Sequence, residues 1–163
     1  MTDLFAGLDC AEVAPAWAVE VVMCGEPTAK GRAKFSGRVV KGKVFGRAYT
    51  PEKTRNFEEN LAWAAQVAMN GRPLFDGPLE VEVWAFMSIP ASKPKKWVAA
   101  ALLSRVFPTK KPDADNFAKS ALDSCNKVVF VDDGQVVDLR VYKRFSAQPR
   151  IEIKIREKRV GAG

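Results

Sequence analysis

Asp113, Asp115, Asp123, Asp132, Asp133 and Asp138 all fall between Lys111 and Lys143, in a chain of formal net charge +7. Lysines and arginines stand among them. Carboxylates gathered this closely suit a hard divalent cation, because Mg²⁺ or Mn²⁺ prefers carboxylate oxygen and water. A basic chain that concentrates metal-binding acid in one stretch reads as a phosphodiester enzyme. Its surface attracts the backbone and the metal performs the hydrolysis. The sequence holds no histidine, so the usual general base is missing. Hydrolysis here must use metal-bound water or carboxylates.

The elements around these acids decide whether they can meet. Asp113 and Asp115 follow Pro112, where the backbone is extended or turning. Two residues apart on extended chain, their side chains share one side. A helix is expected over 116–126, with Lys119 one turn in, facing back toward its start. Val128 to Val131 reads as a buried strand, Asp132-Asp133-Gly134 as a turn, and a second strand starts at Gln135. Pairing of those strands puts the Asp-Gly turn at a hairpin tip, which the fold could bring beside the loop before the helix. Each acid also has an ordinary reading. Asp115 or Asn116 would cap the helix, Asp113 would favour its dipole, and Asp132-Asp133-Gly134 would be a plain turn. Asp123 and Asp138 would be solvated acids.

Taken as a set, Lys111-Pro112-Asp113-Ala114-Asp115-Asn116-Phe117-Ala118-Lys119, Leu122-Asp123 and Asp132-Asp133-Gly134-Gln135-Val136-Val137 resemble the RusA family of Holliday junction resolvases. Gly25-Glu26-Pro27, Tyr49-Thr50-Pro51 and Lys143 fit as well, and the resemblance runs from about Val19 to Ile155. It implies that Asp113, Asp115 and Asp133 bind metal, with Asp132 the adjacent candidate. It makes Lys119 the catalytic lysine, stabilising charge on the phosphorane or leaving oxygen. It also implies a homodimer that uses Mg²⁺ or Mn²⁺ to nick four-way DNA junctions in two strands of like polarity. Phe117 stands where an aliphatic residue is expected, a change of packing alone.

A chain of 163 residues is long enough for one domain with a sizeable core. No apolar run is long enough to span a bilayer. The opening residues lack a basic n-region and carry acids, unlike a secretory signal. A cytoplasmic protein is therefore expected. Cys10, Cys24 and Cys125 are widely separated, which argues against structural zinc. Cys24 and Cys125 sit in apolar contexts and are expected to be buried thiols.

Residues 29–49 hold Lys30, Arg32, Lys34, Arg38, Lys41, Lys43 and Arg47 without one acid. Interleaved glycines, valines and phenylalanines suggest a flexible hairpin or long loop, with short strands at 38–40 and 43–45. Its expected role is to bind the phosphate backbone. A mostly buried strand is expected at 17–24 from its valines and the Gly25 and Pro27 breakers, one at 79–87 that alternates at first and then turns apolar, and strands at 136–145 and 150–156 from their alternation. The strand at 136–145 should have one wet face, and Ile151, Ile153 and Ile155 should point inward. A helix over 50–70 is expected to start at a Thr50 cap with Pro51 in its first position and to close at Asn70-Gly71. A short helix over 92–103, capped by Ser92, would carry Lys93, Lys95 and Lys96 in its first turn, against the dipole.

The expectation is an α+β fold: one domain over 16–157, with a mixed sheet of about five strands and helices packed on it. Residues 1–15 form a flexible lead and 158–163 a frayed tail. The expected function is Mg²⁺-dependent resolution of four-way DNA junctions in recombination and repair by a homodimer, with no other protein partner and no membrane. Lys30, Arg32, Lys34, Arg38, Lys41 and Lys43 would hold DNA. The alternatives are a broader branched-DNA or flap nuclease, and a DNA-binding protein without catalysis.

Overall fold

The computed structural model describes residues 16–30, 34–40, 43–49 and 51–158, with the segments between 34 and 49 given by their backbone. The elements run β1 (Val19–Cys24), β2 (Lys34–Val40), β3 (Lys43–Tyr49), α1 (Glu52–Met69), β4 (Leu79–Ser88), α2 (Lys95–Leu102), α3 (Ala114–Cys125), β5 (Val136–Ser146) and β6 (Arg150–Glu157), with a short 3₁₀ turn at Asp133–Gln135. Four strands form one mixed sheet in the order β1-β6-β4-β5. β6 is antiparallel to both β1 and β4, whereas β4 and β5 are parallel. β2 and β3 form a separate antiparallel hairpin. The fold is therefore α+β, as expected, with four strands in the main sheet.

Alternation sorts the sheet into two faces. Val19 and Val21, Val81 and Val83, and Ile151, Ile153 and Ile155 are buried together against Phe57, Leu61, Ala65 and Met69 of α1. Ala121 and Cys125 of α3 complete this core with Val129 and Phe130. The opposite face carries ion pairs and stacked rings. Trp84 stacks on Tyr142 at 4.0 Å between ring centres. Glu80, 4 % exposed, is gripped by Arg140 Nη1 at 2.7 Å and Arg156 Nη2 at 2.8 Å.

Burial alone would raise the Glu80 pKa, but the Arg156 and Arg140 guanidiniums outweigh it and hold the carboxyl below its usual range. A lowered folded pKa gives stability that is present above the unfolded value, about 4.3, and lost as pH falls through the folded one. Glu80→Gln is thus expected to melt lower than wild type at neutral pH and to show a shallower loss of stability below about pH 4.3, checked by thermal melts across pH.

Several local expectations change. Residues 128–131 are not a strand. Val128 and Val129 both donate to Cys125 O, and Lys127 turns the chain at φ 60. Phe130 makes only isolated bridges, to Phe75 and Asn126. An apolar run of four without alternation fits any buried segment, and here it plugs the core as a turn. Asp132-Asp133-Gly134 consequently leads into β5 through the 3₁₀ turn and is not a hairpin tip. α2 starts at Lys95, with Pro94 as N-cap in place of Ser92, because Pro94 is extended at ψ 154. Pro51, expected inside α1, is its N-cap, while Asn70 closes the helix in the left-handed region at φ 47. Thr50 lies outside the described residues.

Cys125 is buried, which pushes its thiol up to about 12. Cys24 is exposed, not buried, because β1 buries Val19 and Val21 and turns the alternate side outward. On edge strand β5, Val137 is 59 % and Leu139 41 % exposed, so the inward row expected there is only partly covered. Lys158, assigned to the tail, is held by its N–H to Pro78 O and by an ion pair with Asp138. Residues 1–15 and 159–163 lie outside the described residues.

Candidate active site

α3 is amphipathic. Phe117, Ala118, Ala121 and Cys125 are buried, and Asp115, Lys119 and Asp123 recur every fourth position on the exposed side. Lys119 Nζ lies 3.4 Å from Asp115 Oδ2, with both side chains solvated. A pair of this kind stabilises a helix by only about 0.3–0.5 kcal/mol. Asp113 occupies the N-cap at ψ 153, but no side chain caps the helix there. The carboxylates of Asp113 and Asp133 make no hydrogen bond or ion pair among the described residues. The ordinary capping role is therefore unfilled by the two acids at the start of α3.

The chain entering the basic hairpin is pinned to this helix. Lys30 N–H donates to Asn116 O at 3.3 Å, and its ammonium pairs with Asp123 and, at 3.8 Å, with Glu58. Lys30 thus anchors the hairpin's root beside Asp115, with its charge committed inside the fold. Arg32 and Lys41 lie outside the described residues. Lys34, Arg38 and Lys43 are placed by their strands alone.

The second acid group is held differently. Asp132 caps the 3₁₀ turn reciprocally with Gln135: its side chain takes the Gln135 N–H, and its own N–H donates to Gln135 Oε1 at 2.8 Å. Gln135 Nε2 donates to Phe75 O at 3.1 Å and Gly77 O at 2.9 Å. Asp132 is spent on the turn and Asp133 is left free. A Cβ at Gly134 would come within 2.9 Å of Asp132 Oδ2, so the glycine keeps the cap in place. Sequence reasoning did not single out Gln135, although it stands inside the acid motif. Its signal is the reciprocal spacing with Asp132, a capping box. Gln135→Ala removes its three side-chain bonds and is expected to destabilise the fold by about 1–3 kcal/mol. Denaturant unfolding checks this, and hydrogen exchange should quicken first at residues 132–136.

The structure brings Asp113, Asp115 and Lys119 together and leaves Asp132 and Asp133 apart from them. Gln135 ties the Asp133 turn to Gly77, just before Leu79 opens β4. Lys111, two residues before Asp113, lines a cavity with Met87 and Ser88 at the other end of that strand. Lys143 Nζ fixes the same loop through Lys110 O at 2.9 Å. The ten residues of β4 span roughly 30 Å. The expected meeting of the two loops within one chain does not occur, and the cause is topological. A parallel β4–β5 pair needs a crossover that returns the chain to the far end of the sheet, and α3 makes that return. Among the described residues no three acid, cysteine or histidine side chains are gathered to hold a metal.

Comparison with known proteins identifies the lineage. The family model for endodeoxyribonuclease RusA matches residues 25–156. The uncharacterized protein YqaN of Bacillus subtilis (strain 168) is 39 % identical over 145 residues, covering 85 % of this chain and 96 % of its own. The matched span contains every acid of the α3 start and the 3₁₀ turn, together with Lys119 and Gln135, and on that evidence the chain belongs to the RusA endodeoxyribonuclease family.

Proposed function

We propose that this protein is a metal-dependent endonuclease that resolves four-way DNA junctions in recombination and repair, acting as a homodimer in the cytoplasm. One observation carries the reading. Asp113 and Asp115 stand exposed at the start of α3, neither capping it, with Lys119 beside them in a chain of net charge +7. Oxygen donors of this kind fit Mg²⁺ or Mn²⁺. Asp113, Asp115 and Asp133 would hold the ion, with Asp132 orienting its neighbour through the cap. Such an ion, when bound, lowers the pKa of a water and neutralises phosphate charge.

The rest follows from the chain's own groups. Lys119 supplies a mobile cation to the scissile phosphate. The basic hairpin, rooted at Lys30, tracks the backbone with Arg32, Lys34, Arg38, Lys41 and Lys43. Because Asp133 lies at the far end of β4, the third acid of each site would come from a second copy. Exposed Val131, Val137 and Leu139 beside the Asp133 turn support such a contact, since they offer an apolar row for that copy to cover. Junction preference then comes from two-fold symmetry and shape rather than base readout. Among the described residues no helix is long and apolar enough to cross a membrane.

The test is cleavage of a labelled four-way junction beside a matched linear duplex, in Mg²⁺ and in EDTA. Paired nicks in the junction alone, lost in EDTA, are expected. Cutting of both substrates would replace the resolvase with a broader nuclease. Tight binding without cutting in any divalent metal would leave a binding protein.

A further inference from the structure

We propose that the cavity at the Ser88 end of β4 receives a single unpaired nucleotide of the DNA, stacked on Phe107 and Trp97. The proposal rests on the DNA-cleaving reading above and adds a source of branch selectivity to it. The cavity holds about 440 Å³ and is lined by Trp97, Phe107, Phe145, Lys93, Lys110 and Lys111 among others. That is the size range of small-ligand sites, roughly 300–1,000 Å³.

Its rings are braced and partly open, with Trp97 half-buried and Phe107 exposed. Trp97 meets Phe145 edge-on at 5.2 Å and 64°. Phe107 is 48 % exposed, with the Arg144 guanidinium 4.9 Å from its ring centre. Fixed, open aromatic faces are what unpaired bases stack on, whatever their sequence. The surrounding charge suits the rest of a nucleotide. Lys93 Nζ lies 4.8 Å from the Trp97 ring centre, and Lys110 and Lys111 are exposed at the rim. Among the described residues Glu26 is the single acid on the wall, and it accepts from Ser88 N–H at 3.2 Å. Three lysines against one occupied carboxylate favour phosphate.

Position links the cavity to the chemistry. Lys111 stands two residues before Asp113, no more than about 7 Å of chain. A strand that leaves the cavity would run directly onto the α3 carboxylates. A base stacked inside duplex DNA cannot enter such a cavity, whereas one unstacked at a branch point can. Lys93, which stands just before the Pro94 cap of α2, acquires a use here.

The experiment places 2-aminopurine at successive positions around the branch point and follows its fluorescence and the binding affinity in EDTA. Wild type should change the signal at one nucleotide near the nick. Phe107→Ala should abolish that change and weaken junction binding roughly 5- to 100-fold, with linear duplex binding unaltered. Lys93→Gln should lower the salt slope of junction binding by about one. Equal loss on junction and duplex, or unchanged junction binding by Phe107→Ala, would overturn the cavity's role. Wild type that cleaves junctions while Phe107→Ala matches it removes the cavity alone. Wild type that neither binds nor cleaves junctions removes the DNA reading and this proposal with it.

Discussion

Asp115→Asn should lower Mg²⁺-dependent junction cleavage by about 10³-fold while junction binding and melting temperature stay near wild type. A metal's charge stabilisation of the transition state amounts to several kcal/mol, and about 1.4 kcal/mol is a factor of ten. The substitution keeps the side chain's size and removes only its charge. It disturbs the helix little, because the Asp115 carboxylate makes no cap and its pairing with Lys119 is solvated. Lys119→Ala should cost about 10²–10³-fold, the usual loss for one preorganised donor at a developing charge. Single-turnover rates with excess protein, beside circular dichroism melts, separate these losses from unfolding. Full cleavage by Asp115→Asn would remove it from the site.

Phe130→Ala should be the most damaging change to stability, at about 3–5 kcal/mol, the usual cost of emptying a buried phenylalanine site. That is a large share of a typical domain's 5–15 kcal/mol. Phe130 is fully buried, and its carbonyl takes the Lys127 N–H at 2.8 Å. Its neighbours are stitched to Phe75, with Phe75 N–H to Val129 O at 2.9 Å and Val131 N–H to Phe75 O at 3.1 Å. The Asp132–Gln135 turn hangs from the same Phe75 carbonyl side through Gln135. Loss of the ring should therefore lower the melting point by roughly 10 °C and loosen the acid turn with the core. A melting point within a degree or two of wild type would contradict this packing role.

Much of this was legible in the sequence because periodicity is a local property. The alternation of Ile151, Ile153 and Ile155 and the spacing of Phe57, Leu61 and Ala65 each declare a buried face, and all six are buried. The acid motif and Lys119 were legible as a family signature, and the family match bears out the lineage. What could not be read was long-range. Val128 to Val131 is apolar without a period, so only tertiary packing makes it a turn. Cys24 is exposed because it falls on the outward side of β1, which its apolar neighbours in the sequence conceal. The separation of Asp113 from Asp133 follows from β4 and β5 being parallel, and pairing direction leaves no local mark. The nucleotide-sized cavity joins Trp97, Phe107 and Phe145 from three segments that no spacing rule connects.

The central claim is a metal site whose acids come from two copies of the chain, and subunit mixing tests it most directly. Asp113→Asn and Asp133→Asn proteins, each inactive alone, would be unfolded together, refolded and given a four-way junction in Mg²⁺. In a mixed dimer one shared site carries both substitutions and the other carries neither. The account predicts that the mixture regains cutting, as nicks in one strand without the paired incision of wild type. A mixture that forms dimers yet stays as inactive as either parent would contradict it.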